Sequence, residues 1–393
     1  MAYSENESDS LRKTYVFHVV CEPASVDPQV GQWHQLWYFL KIEHFAGISH
    51  MLVGPRKSRP RSEMLTGKFV ISLDFELQWG AQGRLLQHYR ANLLGVRQAI
   101  PAILSVFSDF KIHATWAAVG FLFFESRDQF LRNLPHRRPE YKDKDLDPYE
   151  LLDQLGKDET EDPLHFAPSL IRRIRDTEGQ EIGTHTFSHY SVFAEGCSHE
   201  SFRDDIRAAL RAGALLNINI RSIVFPFNQI TQDHLRICAE EGLTTYRGLE
   251  FDPYVAAGNH PLDRAKRLAD CYVNLSGSGC GLPSILEGCE LVSVPQSRFL
   301  RPYSHALSFM DKLQLQRITK SMTLAAQNGV IFHLWWHPHN FGVNIERNIQ
   351  FLRSICEHYL LLSRRYGFQS CTMGEVGDAA LKHTGARCQE LSC

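Results

Sequence analysis

Residues 69–77 read Phe69-Val-Ile-Ser-Leu-Asp-Phe-Glu-Leu77, and every odd position in this stretch is apolar. The even positions include Ser72, Asp74 and Glu76, so a β-strand here would have one wholly apolar face and one face that turns acidic toward its carboxyl end. In parallel α/β proteins, ligands bind at the carboxyl ends of the strands. We therefore predict that Asp74 and Glu76 lie side by side at a functional site.

The composition indicates a globular protein with a sizeable core. The chain has 393 residues, of which 44% are hydrophobic, enough for a barrel-sized domain with an appendage or for two ordinary domains. The net charge of -2 provides no field that would attract nucleic acid, so we expect no nucleic-acid partner. The ten cysteines are scattered and include no C-x-x-C pair, which favours reduced core thiols over a disulfide framework.

The N-terminal residues predict no targeting or membrane segment. A short apolar patch at 15–20 is too brief to span a membrane, so by elimination we expect a cytoplasmic protein without a transmembrane segment. Residues 1–63 end in a basic, proline-containing run typical of linkers, and we expect them to form a peripheral or disordered extension. The predicted domains are this extension, a barrel at 64–385 and a C-terminal tail at 386–393.

From Lys68 onward, short apolar runs alternate with longer amphipathic stretches, the pattern of parallel strands joined by helical crossovers. A charged, proline-containing stretch at about 137–166 is typical of an insertion that covers one face. The predicted strands are 69–77, 112–120, 181–185, 221–226, 243–247, 290–295, 330–337 and 367–372. The predicted helices are 88–108, 168–177, 200–215, 231–241, 306–328 and 346–365, with Thr231 as an N-cap and Gly242, Gly329 and Gly367 beyond helix ends.

Two histidines follow the third predicted strand, in the segment Gly183-Thr-His-Thr-Phe-Ser-His189. His185 and His189 would meet on one side if the backbone coils between them, because residues four apart share a helical face. In a chain with 19 histidines, this spacing alone would mostly arise by chance, from core or helix-capping residues. Two imidazole nitrogens and one carboxylate hold a divalent ion with an open position for water, as in hydrolytic zinc centres. Together with the acids of the first strand, the pair predicts a mononuclear metal site.

A late apolar run, Val330-Ile-Phe-His-Leu-Trp-Trp-His337, ends in a polar cluster. By alternation, Ile331, His333, Trp335 and His337 share one face, which puts His337 at the carboxyl tip beside the expected site. His339 is a second candidate for the same place, because the bend around the intervening proline could turn it inward. His333 lies mid-strand, where a packed, hydrogen-bonded core histidine is the more common role.

These motifs resemble those of the polysaccharide deacetylase family, also called carbohydrate esterase family 4 or the NodB homology domain. Ser72-Leu-Asp-Phe-Glu76 resembles the family's first motif with two acids, in a D-x-E variant. His185-Thr-Phe-Ser-His189 matches the second motif, H-[ST]-x-x-H, and the segment 113–120 resembles the family's second strand. The likeness covers roughly residues 68–375. It implies an α/β fold, a distorted (β/α) barrel of seven or eight parallel strands.

The resemblance also implies a role for each matched residue. Asp74 corresponds to the catalytic base, and Glu76, His185 and His189 correspond to the ligands of a divalent metal ion, with zinc as the default choice. The late-motif histidine that acts as general acid is assigned to His337. Because one residue separates the two acids of the first motif, an exchange of their roles is open.

One feature of the family is absent from its usual position. The third motif normally supplies an arginine that hydrogen-bonds the base, whereas this chain has Phe227 near that place. Arg247, in the fifth predicted strand, is a candidate to replace this cation. We also predict that five side chains line the substrate cleft: Trp79, Asn228, Arg247, Trp336 and His339.

Three functions follow from this interpretation. The leading one is metal-dependent hydrolysis of a non-peptide carbon–nitrogen bond, with an acetylated carbohydrate as substrate and N-deacetylation as the reaction. The second is hydrolysis of a cyclic amide or imide, as in the allantoinase-like members of the family. The third is a non-catalytic carbohydrate-binding protein on the same fold.

Overall fold

The computed structural model describes residues 66–80, 85–249 and 261–390. The predicted N-terminal extension at 1–63 lies outside these residues. Residues 386–390 of the predicted C-terminal tail continue the last helix, which ends at Glu390.

Each of the eight predicted strands overlaps an observed one, and two strands of two residues were not predicted. The strands are β1 (Lys68–Phe75), β2 (Ala114–Ala118), β3 (Gln180–Thr184), β4 (Ser222–Ile223), β5 (Thr245–Gly248), β6 (Ser284–Ile285), β7 (Val292–Pro295), β8 (Arg298–Phe299), β9 (Ile331–Trp336) and β10 (Gln369–Cys371). The unpredicted ones are β6 and β8, which are too short to carry an alternating pattern.

The strands form one curled sheet in the order β6-β7-β5-β4-β3-β2-β1-β9-β8, with β10 pairing with β1. All pairs are parallel except β6 with β7. Strand β7 pairs with β5, and β8, which begins after two intervening residues, pairs with β9. Between them, the Gln296 amide donates to the Gly248 carbonyl and the Ser297 amide donates to the His333 carbonyl, each at 2.9 Å. Residues 292–299 therefore connect β5 to β9, and this connection closes the sheet into the predicted distorted (β/α) barrel.

Alternation in β1 separates the interior of the barrel from the surrounding layer of helices. The even-numbered Val70 packs in an interior cluster with residues of β2, β7, β9 and the last helix and with Val224, directly after β4. The odd-numbered Phe69, Ile71, Leu73 and Phe75 belong to the large core between the sheet and the helices. The even positions further along β1 therefore point into the barrel, toward its carboxyl end.

The six predicted helices are present, and three further helices appear among the described residues. The helices are α1 (Leu85–Phe110), α2 (Arg127–Arg132), α3 (Pro168–Arg175), α4 (His199–Leu215), α5 (Gln232–Glu240), α6 (Pro261–Asp270), α7 (Asp311–Asn328), α8 (Ile345–Tyr366) and α9 (Met373–Glu390). The predicted end signals are confirmed. Thr231 caps α5 by accepting from the His234 amide, and Gly242, Gly329 and Gly367 have φ of 90°, 67° and 71° at helix ends.

Helix α9 packs against the amino ends of the strands, at the end of the barrel opposite to the acids. The Glu181 carboxylate of β3 accepts a hydrogen bond of 3.0 Å from the Gly374 amide in the first turn of α9. The same carboxylate accepts one of 2.7 Å from the Thr115 hydroxyl. A carboxylate at a helix N-terminus is favourable, so Glu181 both stabilises α9 and anchors it to the sheet.

Among the described residues, one helical stretch has the length and composition of a membrane span. It is Tyr89–Phe110 of α1, and 44% of its apolar 18-residue window is buried within the protein. A helix that packs on the core of a soluble protein meets the same criterion.

Candidate active site

The histidine pair lies on a tight loop directly after β3. The His185 amide donates to the Ala118 carbonyl at 2.9 Å, which continues the pairing of β3 with β2. The backbone then turns through Thr186 and His189, both in the left-handed region with φ of 64° and 58°. The two imidazole rings are buried, and their centroids are 5.1 Å apart. The predicted coiling of the backbone between His185 and His189 is therefore achieved by a loop with two left-handed residues.

Glu76 meets both histidines from the end of β1. Its Oε2 lies 3.1 Å from Nε2 of His189 and 3.5 Å from Nε2 of His185. Ligand atoms of all three residues lie within 4.8 Å of one another. Atoms that bind a tetrahedral zinc ion at about 2.0–2.1 Å are separated from each other by about 3.3–3.4 Å, and the two Glu76–histidine distances are close to this value, so the three side chains could hold a metal ion.

The orientation of His185 is fixed by a backbone acceptor. Its Nδ1 lies 2.8 Å from the Val224 carbonyl oxygen, which can only accept, so Nδ1 carries the proton. The lone pair of Nε2 then faces Glu76. Metal-binding histidines are commonly held this way, with the second ring nitrogen donating to a carbonyl or carboxylate.

Asp74 lies beside this set and is held by Arg247. The guanidinium donates two parallel hydrogen bonds, from Nη1 to Oδ1 at 2.7 Å and from Nη2 to Oδ2 at 2.8 Å. Arg247 also donates to Oγ of Ser72 and to Oδ1 of Asn228, and its guanidinium lies 4.3 Å from the centre of the Trp335 ring. Both side chains of the ion pair are buried, at 1% and 3% exposure, so the pair fixes the carboxylate rigidly.

The surrounding charges keep both acids ionised. Burial alone would raise the pKa of the Asp74 carboxyl, but the charge of Arg247 and two nearby imidazoles outweigh it and lower the pKa. Burial likewise opposes ionisation of Glu76, yet His337, His185 and His189 together hold its pKa well below the ordinary value. Burial lowers the pKa of His189 and outweighs the opposite effect of Glu76. The lowered pKa favours the neutral imidazole, which is the form that binds a metal.

His337, directly after β9, completes the group. Its Nε2 lies 3.6 Å from Oε1 of Glu76 and 3.9 Å from Oδ2 of Asp74. With 18% of its side chain exposed, it is the most accessible member of the set. His339 stacks on His337 with ring centroids 4.9 Å apart, and burial together with His337 lowers the pKa of His339 to about 3. His339 is therefore a neutral neighbour of His337 at physiological pH.

His333 lies deeper in the barrel and has the environment of a core histidine. It is fully buried, and burial together with the charge of Arg247 lowers its pKa to about 3. Its Nε2 lies 2.9 Å from Oγ of Ser72. Because Ser72 accepts from Arg247, its hydroxyl hydrogen is available for His333. The ring thus supports the Arg247–Asp74 pair from below.

Three of the predicted substrate contacts are incompatible with the structure. Trp79 is fully buried and donates from Nε1 to the His165 carbonyl at 3.0 Å, so it cannot stack on a sugar. Trp336 is fully buried on the helix side of β9, against Phe341. Arg247 is occupied by Asp74 inside the barrel, in the place of the cation that the third motif lacks. Asn228 and His339 remain predicted contacts, and both lie next to residues of the site.

The excursion at 137–166 packs on two loops that carry the site. The Gln78 amide donates to the Leu164 carbonyl at 3.2 Å, close to Glu76. On the other side, the hydroxyl of Tyr141 accepts from the Ser191 amide at 3.1 Å, just beyond His189. The insertion thus supports both loops from outside the barrel.

One residue close to the site was not predicted from the sequence. Asp205 of α4 is fully buried and accepts hydrogen bonds from the amides of Phe187 and Ser188, between the two histidines. A signal was present, because Asp205 lies on the apolar face of an amphipathic helix, next to Phe202 and Ile206. An acid on a buried face indicates a specific hydrogen-bonding role.

Comparison with known proteins agrees with the motifs. The family model "Polysaccharide deacetylase" matches residues 92–246. No curated protein matches the chain. A structure assigned as a polysaccharide deacetylase of Mycobacterium smegmatis is 12% identical, covers 81% of this chain and 92% of its own, and has a TM-score of 0.53. Its likeness supports the barrel fold.

Two further solved structures are similar over comparable lengths. A polysaccharide deacetylase assigned in Pseudomonas aeruginosa PAO1 is 10% identical, with 79% of this chain and 90% of its own covered and a TM-score of 0.48. The Puue allantoinase is 11% identical, with the same coverage and the same TM-score.

Proposed function

We propose that this chain, which belongs to the polysaccharide deacetylase family, is a metal-dependent hydrolase that removes acetyl groups from N-acetylated carbohydrates. One observation carries the proposal. Glu76, His185 and His189 converge closely enough to hold a metal ion, with a fixed carboxylate, Asp74, and a partly exposed imidazole, His337, beside them. Hydrolysis of an amide requires these three elements: an activated water molecule, a base and an acid.

The donor set fits a divalent cation. Two imidazole nitrogens and one carboxylate oxygen are a common set of ligands for zinc, and three protein ligands leave room for water or substrate. We propose zinc for this reason. When bound there, the ion would supply Lewis-acid activation of water and of the acetamide carbonyl.

Asp74 serves as the base in this proposal. Its carboxylate is ionised, and Arg247 holds both oxygens in a fixed plane. The arginine also leaves the carboxylate no freedom to swing toward solvent. Asp74 can therefore accept a proton from water without reorganising during the reaction. Glu76, which faces both histidines, is assigned to the metal.

His337 serves as the acid. The amine leaving group of an amide must be protonated as it departs, and an imidazolium within reach of the reacting atoms can do this. Nε2 of His337 points toward Asp74 and Glu76, and its ring is partly exposed to the mouth of the site. The products are acetate and a free amine.

The test combines metal analysis with an assay for acetate. Purified protein is analysed for bound metal, stripped with a chelator and reloaded with zinc, and acetate release is measured on a panel of N-acetylated saccharides. We expect one zinc per chain and zinc-dependent release. The variants His185→Ala and His189→Ala should lose metal and turnover together. His234→Ala, which changes a buried histidine on α5 away from the site, should keep both.

Two outcomes would replace the proposal by the alternatives. Zinc-loaded protein that opens the ring of allantoin and releases no acetate from the saccharides would be a cyclic-amide hydrolase. Protein that binds saccharides tightly but turns over neither substrate in any metal-loaded form would be a non-catalytic binding protein.

A further inference from the structure

We infer that Asp205 is a positioning residue that holds the loop between His185 and His189 in its metal-binding shape before any ion binds. The inference rests on the proposed metal centre and extends it to a residue that touches neither metal nor substrate. It predicts that metal affinity depends on a carboxylate located on α4.

The contacts of Asp205 are concentrated on this loop. Its Oδ1 accepts from the Phe187 amide at 2.7 Å, and its Oδ2 accepts from the Ser188 amide at 3.1 Å. The Ser188 hydroxyl also donates to Oδ2. One carboxylate therefore binds two consecutive amides and one hydroxyl, all located between the two histidines.

The backbone of the loop needs such support. Thr186 and His189 flank the two amides, and both have positive φ, which is unusual for residues other than glycine. A left-handed conformation at a β-branched residue such as Thr186 is strained and persists only where surrounding contacts impose it. The Gly120 amide donates to the Thr186 carbonyl at 3.0 Å, and Asp205 binds the next two amides. These contacts compensate for the strain.

The burial of Asp205 indicates that its role is specific. The side chain is fully buried, and no salt bridge reaches it from the part of the chain that the structure describes. Burial raises its pKa to about 7, with the loop hydrogen bonds acting in the opposite direction. An acid at this position costs stability unless it is hydrogen-bonded, and its three donors all belong to the ligand loop.

The structure contains a matched control. Asp270, at the end of α6, is also buried and binds a similar set of donors: its Oδ1 accepts from the amides of Leu275 and Ser276 at 2.9 and 2.8 Å, and its Oδ2 accepts from the Ser276 hydroxyl. It also pairs with Arg298 and lies outside the proposed site. Asp270→Asn therefore disturbs a comparable buried network without touching the histidine loop.

The experiment measures zinc affinity of the metal-free, full-length protein by competition with a chromophoric chelator. We expect Asp205→Ala to bind zinc at least about 10-fold more weakly than the wild type, since loss of supporting groups around metal ligands typically costs about 10–100-fold. Asp205→Asn keeps the side-chain volume but replaces one accepting oxygen by an NH2 group, which cannot accept from the loop donors. This variant should also bind zinc more weakly. Asp270→Asn should bind zinc like the wild type.

Hydrogen exchange of the metal-free protein gives a second measurement. Peptides that contain Phe187 and Ser188 should exchange faster in Asp205→Asn than in the wild type, and those peptides should be unchanged in Asp270→Asn. This readout reports the order of the loop directly, without an ion.

The outcomes separate the inference from the proposed function. If the wild type binds no divalent ion, the proposed metal centre is wrong and the inference falls with it. If the wild type binds zinc and both Asp205 variants bind it within about twofold of the same affinity, the inference alone is wrong. An equal loss in Asp270→Asn would also overturn it, because the effect would then be general destabilisation.

Discussion

Arg247 reaches Asp74 from inside the barrel, through two parallel hydrogen bonds of 2.7 and 2.8 Å between fully buried side chains. Arg247 comes from β5 and Asp74 from β1, and neighbouring elements hold both: Ser72 accepts from the guanidinium and Trp335 lies against its face. The cation that holds the proposed base is therefore supplied by the wall of the barrel. This arrangement keeps the mouth of the site free for substrate.

Replacing Arg247 should remove catalysis while leaving the metal in place. In Arg247→Met, Asp74 loses its bidentate partner and its fixed plane, so we expect kcat to fall by about 100-fold or more. The unpaired buried carboxylate should also lower the free energy of unfolding by about 3–5 kcal/mol. Arg247→Lys keeps the charge but not the paired geometry, and should recover only part of the activity. Steady-state kinetics with parallel metal analysis measure these effects.

The control for this variant is Arg298→Met, which breaks the buried pair with Asp270 outside the site. It should lose comparable stability and retain kcat. Unchanged kcat in Arg247→Met would contradict the role given to Asp74.

The acid assignment can be tested by the choice of leaving group. His337→Ala should lower kcat on an N-acetyl substrate by about 100- to 10,000-fold, because the amine departs only after protonation. Hydrolysis of p-nitrophenyl acetate should fall much less, since the phenolate leaves without a proton. His339→Ala removes the stacked neighbour and should have a smaller effect on both substrates. Equal losses on amide and ester in His337→Ala would indicate that His337 acts in binding instead.

Replacing Gly80 should weaken metal binding because this residue lies against the Glu76 side chain. A Cβ at this position would fall onto the Glu76 carboxyl group. In Gly80→Ala the ligand must move, so we expect zinc affinity to fall by at least about 10-fold, a loss measurable by chelator competition. Gly242→Ala is the matched comparison. It has φ of 90° and open space around its Cβ, so it should lose stability through strain and bind zinc normally.

The contact between α9 and the amino end of β2 should stabilise the protein in a pH-dependent way, through Glu375 of α9 and His113 just before β2. Nδ1 of His113 lies 2.9 Å from the Glu375 carboxylate, and this hydrogen bond raises the pKa of His113. The pKa of Glu375 is lowered because His113 outweighs the opposing effect of burial. The histidine's contribution to stability is complete below its unfolded value of 6.5 and is lost as the pH rises through the folded value. The contribution of Glu375 to stability is present above pH 4.5, its unfolded pKa, and is lost as the pH falls through its lower folded pKa.

The pair should therefore stabilise most between pH 4.5 and 6.5, by about 0.5 kcal/mol or less, because both groups are partly exposed. Thermal unfolding at pH 5.5 and pH 8 should show a larger loss on going to pH 8 in the wild type than in Glu375→Gln. The same difference in both proteins would refute this assignment.

Local patterns predicted the strands that carry the site, because their alternation reflects two different environments. The period of two in β1 and β9 correctly assigned Asp74, Glu76, His333 and His337 to the interior face. The same rule places Trp336 on the opposite face, so its predicted contact with substrate conflicted with the alternation itself.

What local patterns could not provide are contacts between distant segments. Arg247 was proposed from the sequence as a replacement cation, but its partner depends on how β5 and β1 face each other across the barrel. Asp205 binds backbone amides on a loop whose left-handed residues have no sequence signature such as glycine. Trp79 is buried because the excursion at 137–166 covers it, and the position of an insertion is not encoded in periodicity.

The pairing of β1 with β2, β9 and β10 has a kinetic consequence. Lys68 pairs with Gln369, 301 positions further along the chain, and Leu73 pairs with Trp336. Closing loops of such length is slow, because their entropy must be lost before the contacts form. Asp74 of β1 and Glu76 just after it can therefore be held in position only after the last third of the polypeptide has been synthesised and docked. A nascent chain that already has its histidine loop still lacks a rigidly held Glu76 beside it.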